Sequence, residues 1–125
     1  MWSLEPSTQW EKDAKWYEKK RPDELAAVNR NLGRYLALLN VSKNSKCVEA
    51  GYLHKEPGGI IAVDQKGISG NLQETRLYTF AVDAAKTVHL ITIGNKESQH
   101  SDVEYAKNFA KLFDDEQGGT RLAAK

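Results

Sequence analysis

Apolar residues recur along this chain with two different periods, and the change from one to the other divides it. Trp10, Ala14 and Tyr17 fall a helical turn apart, while Glu11, Lys12, Lys15, Glu18 and Lys19 mostly take the other side, which predicts an amphipathic helix. Thr8-Gln-Trp-Glu11 fits a capping box that opens it, and Pro22 closes it by disfavouring helical geometry in the residue before. Pro22 then suits the first turn of a second helix, with Asp23 and Glu24 at its positive end. Leu25, Val28, Leu32, Tyr35, Leu36 and Leu39 carry the helical period to Asn40. The short Arg21-Pro22 break predicts an antiparallel helical pair lying on a sheet.

Beyond Val41 the period changes. Cys47 to His54 is compatible with an edge strand, Glu56-Pro-Gly-Gly59 with a turn, and Gly59 to Asp64 with a nearly continuous apolar strand. After a glycine-bearing loop from Gln65 to Asn71, two arms follow, Gln73 to Val82 and Thr87 to Lys96, joined by Asp83-Ala-Ala-Lys86. Their β-branched and aromatic content predicts an antiparallel hairpin. Alternation puts Arg76, Tyr78, Phe80 and Val82 on one face and Thr75, Leu77, Thr79 and Ala81 on the other. Ser101-Asp-Val-Glu104 reads as a capping box for a last helix with Val103, Ala106, Ala110 and Phe113 on one side. That helix is expected to run out at Asp114-Asp-Glu116, with a frayed tail over 117–125. Two helices, a sheet of about four antiparallel strands and a final helix make an α+β domain over residues 1–116 rather than a doubly wound one.

Composition narrows the partners little. The 125 residues carry a formal net charge of +1, so nucleic-acid binding must rest on local charge rather than bulk basicity. The lone Cys47 makes no intrachain disulfide and reads as a small hydrophobe or inert thiol, which with the absence of a leader or a membrane-length apolar run leads us to expect a cytoplasmic protein. The three histidines share no ligand spacing, so no metal is expected. His89 alternates with Ile91 and Ile93 as a packed residue would; His54, beside Lys55 at a strand end, is either a solvated edge residue or an acid–base group. Trp2, Trp10 and Trp16 are candidates for a partner surface, Trp10 more simply for the core. Arg76 and Tyr78 share a face, and a plain hairpin brings Lys96 near the start of the arginine arm. That group suits a phosphate, since arginine binds it bidentately and lysine adds a point charge. The plainer alternatives are an ion pair of Arg76 with Glu74, and Tyr78 and Tyr105 as core or rim aromatics.

Thr75-Arg-Leu-Tyr-Thr-Phe, the charged turn, Val88-His-Leu-Ile-Thr-Ile-Gly94 with Lys96, Ser101 to Tyr105 and the preceding helical pair together resemble the RelE-like toxins of bacterial type II toxin–antitoxin systems, within the RelE/ParE superfamily that includes HigB-type toxins. The resemblance implies a microbial-RNase-like domain, a twisted antiparallel sheet with helices on one face. It further implies metal-free cleavage of mRNA in the ribosomal A site, no cofactor, and a cognate antitoxin that blocks the active surface. Carried over by position, the catalytic set is Arg76, Lys96, Tyr105 and Lys66; from the residues themselves, Tyr78, His54 and Lys55 are the candidate substrate-binding residues. Two departures stand out: Ile60 to Gln65 is apolar with an acid where active members are basic, and Glu74 lies close enough to compete for Arg76. They leave two other readings open, a ParE-like inhibitor of DNA gyrase and an inactive interaction module of the same fold.

Overall fold

A strand that the periodicity did not announce comes first. In the computed structural model, which describes residues 1–123 and side chains as far as Phe113, β1 (Ser3–Pro6) pairs in parallel with residues 87–90 of a later strand. Its residues are exposed and do not alternate; the buried Trp2 just before it is its anchor, and the Trp2 amide donates to Asn40 Oδ1 at 2.8 Å.

Helix α1 (Thr8–Lys20) is capped by Ser7 rather than by Thr8, the Ser7 hydroxyl accepting from the Trp10 amide at 3.0 Å. The cap sits one residue early because Ser7 is also committed to the sheet: its own amide donates to Leu90 O and its hydroxyl to Ile91 O. Helix α2 (Pro22–Val41) starts at the expected proline. The expected edge strand over 47–54 is displaced. Asn44 accepts from the Lys46 amide and sets a single 3₁₀ turn at Ser45–Cys47, so Cys47 is exposed and β2 begins only at Leu53, running to Glu56. Gly58 and Gly59, both at φ +80°, make the turn into β3 (Ile60–Val63) in a conformation that side chains resist.

β4 (Thr75–Val82) and β5 (Thr87–Asn95) form the expected hairpin, with Thr75 opposite Asn95. One bulge interrupts them: Tyr78 pairs with Thr92 but Thr79 with Leu90, so Ile91 is the extra residue. Ser7 takes the Ile91 carbonyl, and Asp13 accepts from the Ile93 amide and the Thr92 hydroxyl. Helix α1 thus satisfies the part of β5 that β1 is too short to cover.

The sheet order is β1-β5-β4-β3-β2, five strands and mixed rather than four and antiparallel. Helices α1 and α2 pack on one face, where Leu77, Leu90, Ile93 and Val63 meet Val28, Leu32, Tyr35, Leu39 and Tyr17. Helix α3 (Gln99–Ala123) packs on the other, Ala106 and Ala110 against Ile60, Ala62, Tyr78, Phe80 and Ile91. The expectation of helices on one face is therefore corrected. Strands covered on both sides bury both sets of alternating residues, and this is why β4 and β5 read as near-continuous apolar runs. Helix α3 begins two residues before the expected capping box, because Ser98, not Ser101, holds its first turn through Asp102. It continues past the expected stop at 116, and the last two residues of the tail expected at 117–125 lie outside the described residues.

Candidate functional site

Alternation along β2, β3 and β4 places His54, Glu56, Ala62, Asp64, Arg76 and Tyr78 on the α3 side of the sheet. Ala62 is the partner of both His54 and Tyr78, and its small side chain leaves the middle of that face open for longer groups to meet over it. Two side-chain pairs occupy the space.

In the first, His54 Nε2 lies 2.5 Å from Asp64 Oδ2. The carboxylate's other oxygen, Oδ1, accepts from the Lys66 amide at 2.7 Å, and the backbone carrying it is held by the buried Asn31 of α2, which donates to the carbonyls of both Asp64 and Lys66. A carboxylate held in place fixes the ring's orientation, the arrangement a general base needs. The imidazole is partly open to solvent.

In the second, Arg76 donates from Nε and Nη2 to Glu74 Oε1, at 3.2 and 2.9 Å, and from Nη1 to Glu56 Oε2 at 3.3 Å. Its side chain is only 14% exposed, so two carboxylates already surround the guanidinium and an incoming phosphate must displace one. Glu74 is the more exposed of the two, at 34% against 17%.

Beneath them, Tyr78 is fully buried and its hydroxyl has no hydrogen-bond partner among the described residues. Burial, then the nearby Asp102, pushes the phenol far up from its ordinary value, with Arg76 opposing. Tyr78 is thus a core residue with a protonated, unanswered hydroxyl, not the open substrate contact expected. Asp102 approaches from the first turn of α3, accepts from Ser98 Oγ at 2.6 Å, and is itself raised by burial.

The other expected residues divide. Lys66 follows Asp64 closely, and its side chain is exposed at the end of the sheet where β4 begins. Lys96 stands in the turn just past Asn95, the partner of Thr75, so the hairpin does bring it to that end. Tyr105 lies three residues beyond Asp102, exposed on α3. Lys55 is not part of the group: it pairs with Ile61, points to the α2 side and meets Glu49 at 3.3 Å. His89 is packed, stacked on Phe113 with ring centroids 3.8 Å apart. Of the Trp residues, Trp2 is core and Trp16 is exposed.

Four groups were missed from the sequence: Asp64, Glu56, Asn31 and Asp102. The first two were within reach, because the Glu56 to Gly59 turn fixes the β2–β3 register and puts His54 diagonal to Asp64. No protein-family model matches this chain, and neither a curated protein nor a solved structure matches it.

Proposed function

We propose that the chain is a RelE-like ribonuclease toxin that cuts mRNA on the ribosome and is restrained by a cognate antitoxin. The observation that carries this reading is the His54–Asp64 pair set beside the Glu56–Arg76 pair on one face of a rigid sheet. Cleavage of RNA without a metal takes the proton from a 2′-hydroxyl, forms a bond from that oxygen to phosphorus, breaks the bond to the 5′-oxygen and returns a proton to it, leaving a 2′,3′-cyclic phosphate. His54 and Glu56 are an imidazole and a carboxylate suited to those two transfers. Arg76 binds the phosphate once Glu74 gives way, and Lys66 and Lys96 draw the polynucleotide to the same end of the sheet. Lys55 and Tyr78 have no direct role in this scheme.

Induced expression in a bacterium without the antitoxin is the test. The wild-type chain is expected to stop growth and protein synthesis, and His54→Ala and Arg76→Ala are each expected to relieve this, with melting curves showing that the variants fold. Removing one positioned group of this kind lowers the rate by about 10²–10³. Full toxicity of both variants would overturn the assignment. Continued protein synthesis accompanied by DNA breaks would replace it with the gyrase reading.

One observation favours a second reading, an inactive module that binds a partner: the guanidinium of Arg76 is already matched by two carboxylates. Normal growth on induction of a folded wild-type chain would select it.

A further inference from the structure

Helix α3 turns one side to the sheet, where Ala106 and Ala110 are core residues with Val103, Phe109 and Phe113 packed beside them. The opposite side, Ser101, Glu104, Tyr105, Asn108, Lys111 and Leu112, is exposed throughout. A surface helix ordinarily gives that side to polar groups, yet Tyr105 is 44% and Leu112 62% exposed on it.

Spacing, symmetry and charge together define what covers this face. Tyr105 and Leu112 are seven residues apart, and so are Glu104 and Lys111. Seven residues are close to two helical turns, so the members of each pair stand in line along the axis, about 10 Å from one another. The apolar pair runs along one side of Asn108 and the charged pair along the other. Both pairs are centred on Asn108. A second copy laid antiparallel across it, with a two-fold axis passing at Asn108, therefore sets Tyr105 on Leu112 of the second copy and Glu104 on Lys111 of the second copy, each contact made twice. The two Asn108 amides then face each other, and each can both donate and accept. Within one helix Glu104 and Lys111 are too far apart to pair. Glu104 meets Lys107 of its own helix through Oε1 at 3.4 Å, a long contact that leaves Oε2 for another cation. A partner of a single sign would match one charge of the face and oppose the other, and a parallel pairing would set Glu104 on Glu104. The antiparallel second copy matches both.

We propose that this face of α3 is a self-association surface, through which two copies of the chain form an antiparallel two-fold helical pair with Tyr105 packed on Leu112 and Glu104 paired with Lys111. The contact is isologous, so it closes at two copies. Six side chains from each copy make a small interface, under about 1,200 Å² of total buried area, and the dimer is accordingly weak, with a dissociation constant on the order of 100 µM. The proposal does not rest on the ribonuclease reading, since His54, Glu56 and Arg76 belong to the sheet and this face points away from it.

Sedimentation equilibrium of the full chain, from well below that concentration to well above it, tests the proposal. The wild-type chain is expected to pass from monomer to dimer and no further. Glu104→Lys and Lys111→Glu each set like charges together at two symmetry-related places, and each alone is expected to weaken association about tenfold. Mixed in equal amounts, the two variants are expected to recover that loss as a heterodimer, because each supplies the charge the other lacks. Leu112→Ser, which removes the apolar contact twice over, is expected to weaken the dimer by about tenfold as well. All three positions are exposed, and melting curves of the dilute monomers check that the variants fold. Arg76→Ala is expected to leave the equilibrium unchanged, so failure of the ribonuclease reading and failure of this one are separable. A wild-type chain that stays monomeric throughout, a dimer unmoved by the single charge reversals, or variants that fail to associate on mixing would overturn the proposal.

Discussion

Asp102 occupies a place where a carboxylate is costly. It is half-buried against the sheet, and burial raises its pKa from the ordinary 3.8, the Ser98 hydroxyl opposing and Asp13 adding to the rise. Because the folded value exceeds the unfolded one, the folded chain keeps a proton over a range in which the unfolded chain has released it. Stability therefore falls as pH rises from near 3.8 through Asp102's own value, and the whole deficit is present above that. Asp102→Asn keeps the shape without the charge, so the variant is expected to unfold at higher denaturant than wild type at neutral pH, with the gap closing toward zero as the pH falls through that range. Paired urea titrations across pH measure it; a gap that is constant with pH would contradict a raised carboxyl at this position. At this scale the sequence was legible for groups whose partner lies nearby in the chain. Arg76 and Glu74, two residues apart on one face, do pair. Groups whose partner comes from another element were not. Asp64 read only as an acid spoiling an apolar strand, because the groups that explain it, His54 and Asn31, are supplied by β2 and α2.

At the scale of elements, the junction of β5 and α3 is held by close approach. A Cβ built on Gly94 would fall 1.7 Å from Asp102 Oδ2 and 2.5 Å from Ser98 Oγ, so the strand must present bare backbone for the helix to start where it does. Gly94→Ala is accordingly expected to cost about 1–3 kcal/mol, the usual penalty of overpacking. Asp102→Ala removes the nearest obstruction, so in the double variant the glycine substitution is expected to cost less than it does alone, a coupling read from a double-mutant cycle by chemical unfolding. Simple additivity would show that the two residues do not meet. The helices were read from their stripes because a buried face with the helical period leaves a long signal: Leu25, Val28, Leu32 and Leu36 all reach the core or pack against it, as do Val103, Ala106 and Ala110. Their first turns were misplaced because capping depends on a single side chain. Ser7 and Ser98 won over Thr8 and Ser101 through contacts to β5 and Asp102 that no local pattern contains.

For the molecule as a whole, the least legible element closes the sheet. β1 has four residues, all exposed, and a proline, so neither length nor alternation marks it as a strand. Yet it covers residues 87–90 of β5, whose central residues are apolar and whose edge would otherwise be open to another chain. Its hold comes from outside its own bounds: Trp2 buried in the α1–α2 core, the Trp2 amide on Asn40, and Ser7 bonded to Leu90 and Ile91. Trp2→Ala is expected to cost about 3–5 kcal/mol, a large share of the stability of a domain this size. Deleting residues 1–6 removes the same anchor and also uncovers the β5 edge, while Ser7 and Asp13 remain to hold the far end. The two changes are expected to differ in kind as well as degree. Trp2→Ala lowers the melting temperature at every protein concentration alike, whereas the deletion also gives self-association that grows with concentration, seen by light scattering on a sizing column. A deletion variant that melts like wild type and stays monomeric would mean that β5 needs no cover, and that α1 alone holds that side of the sheet.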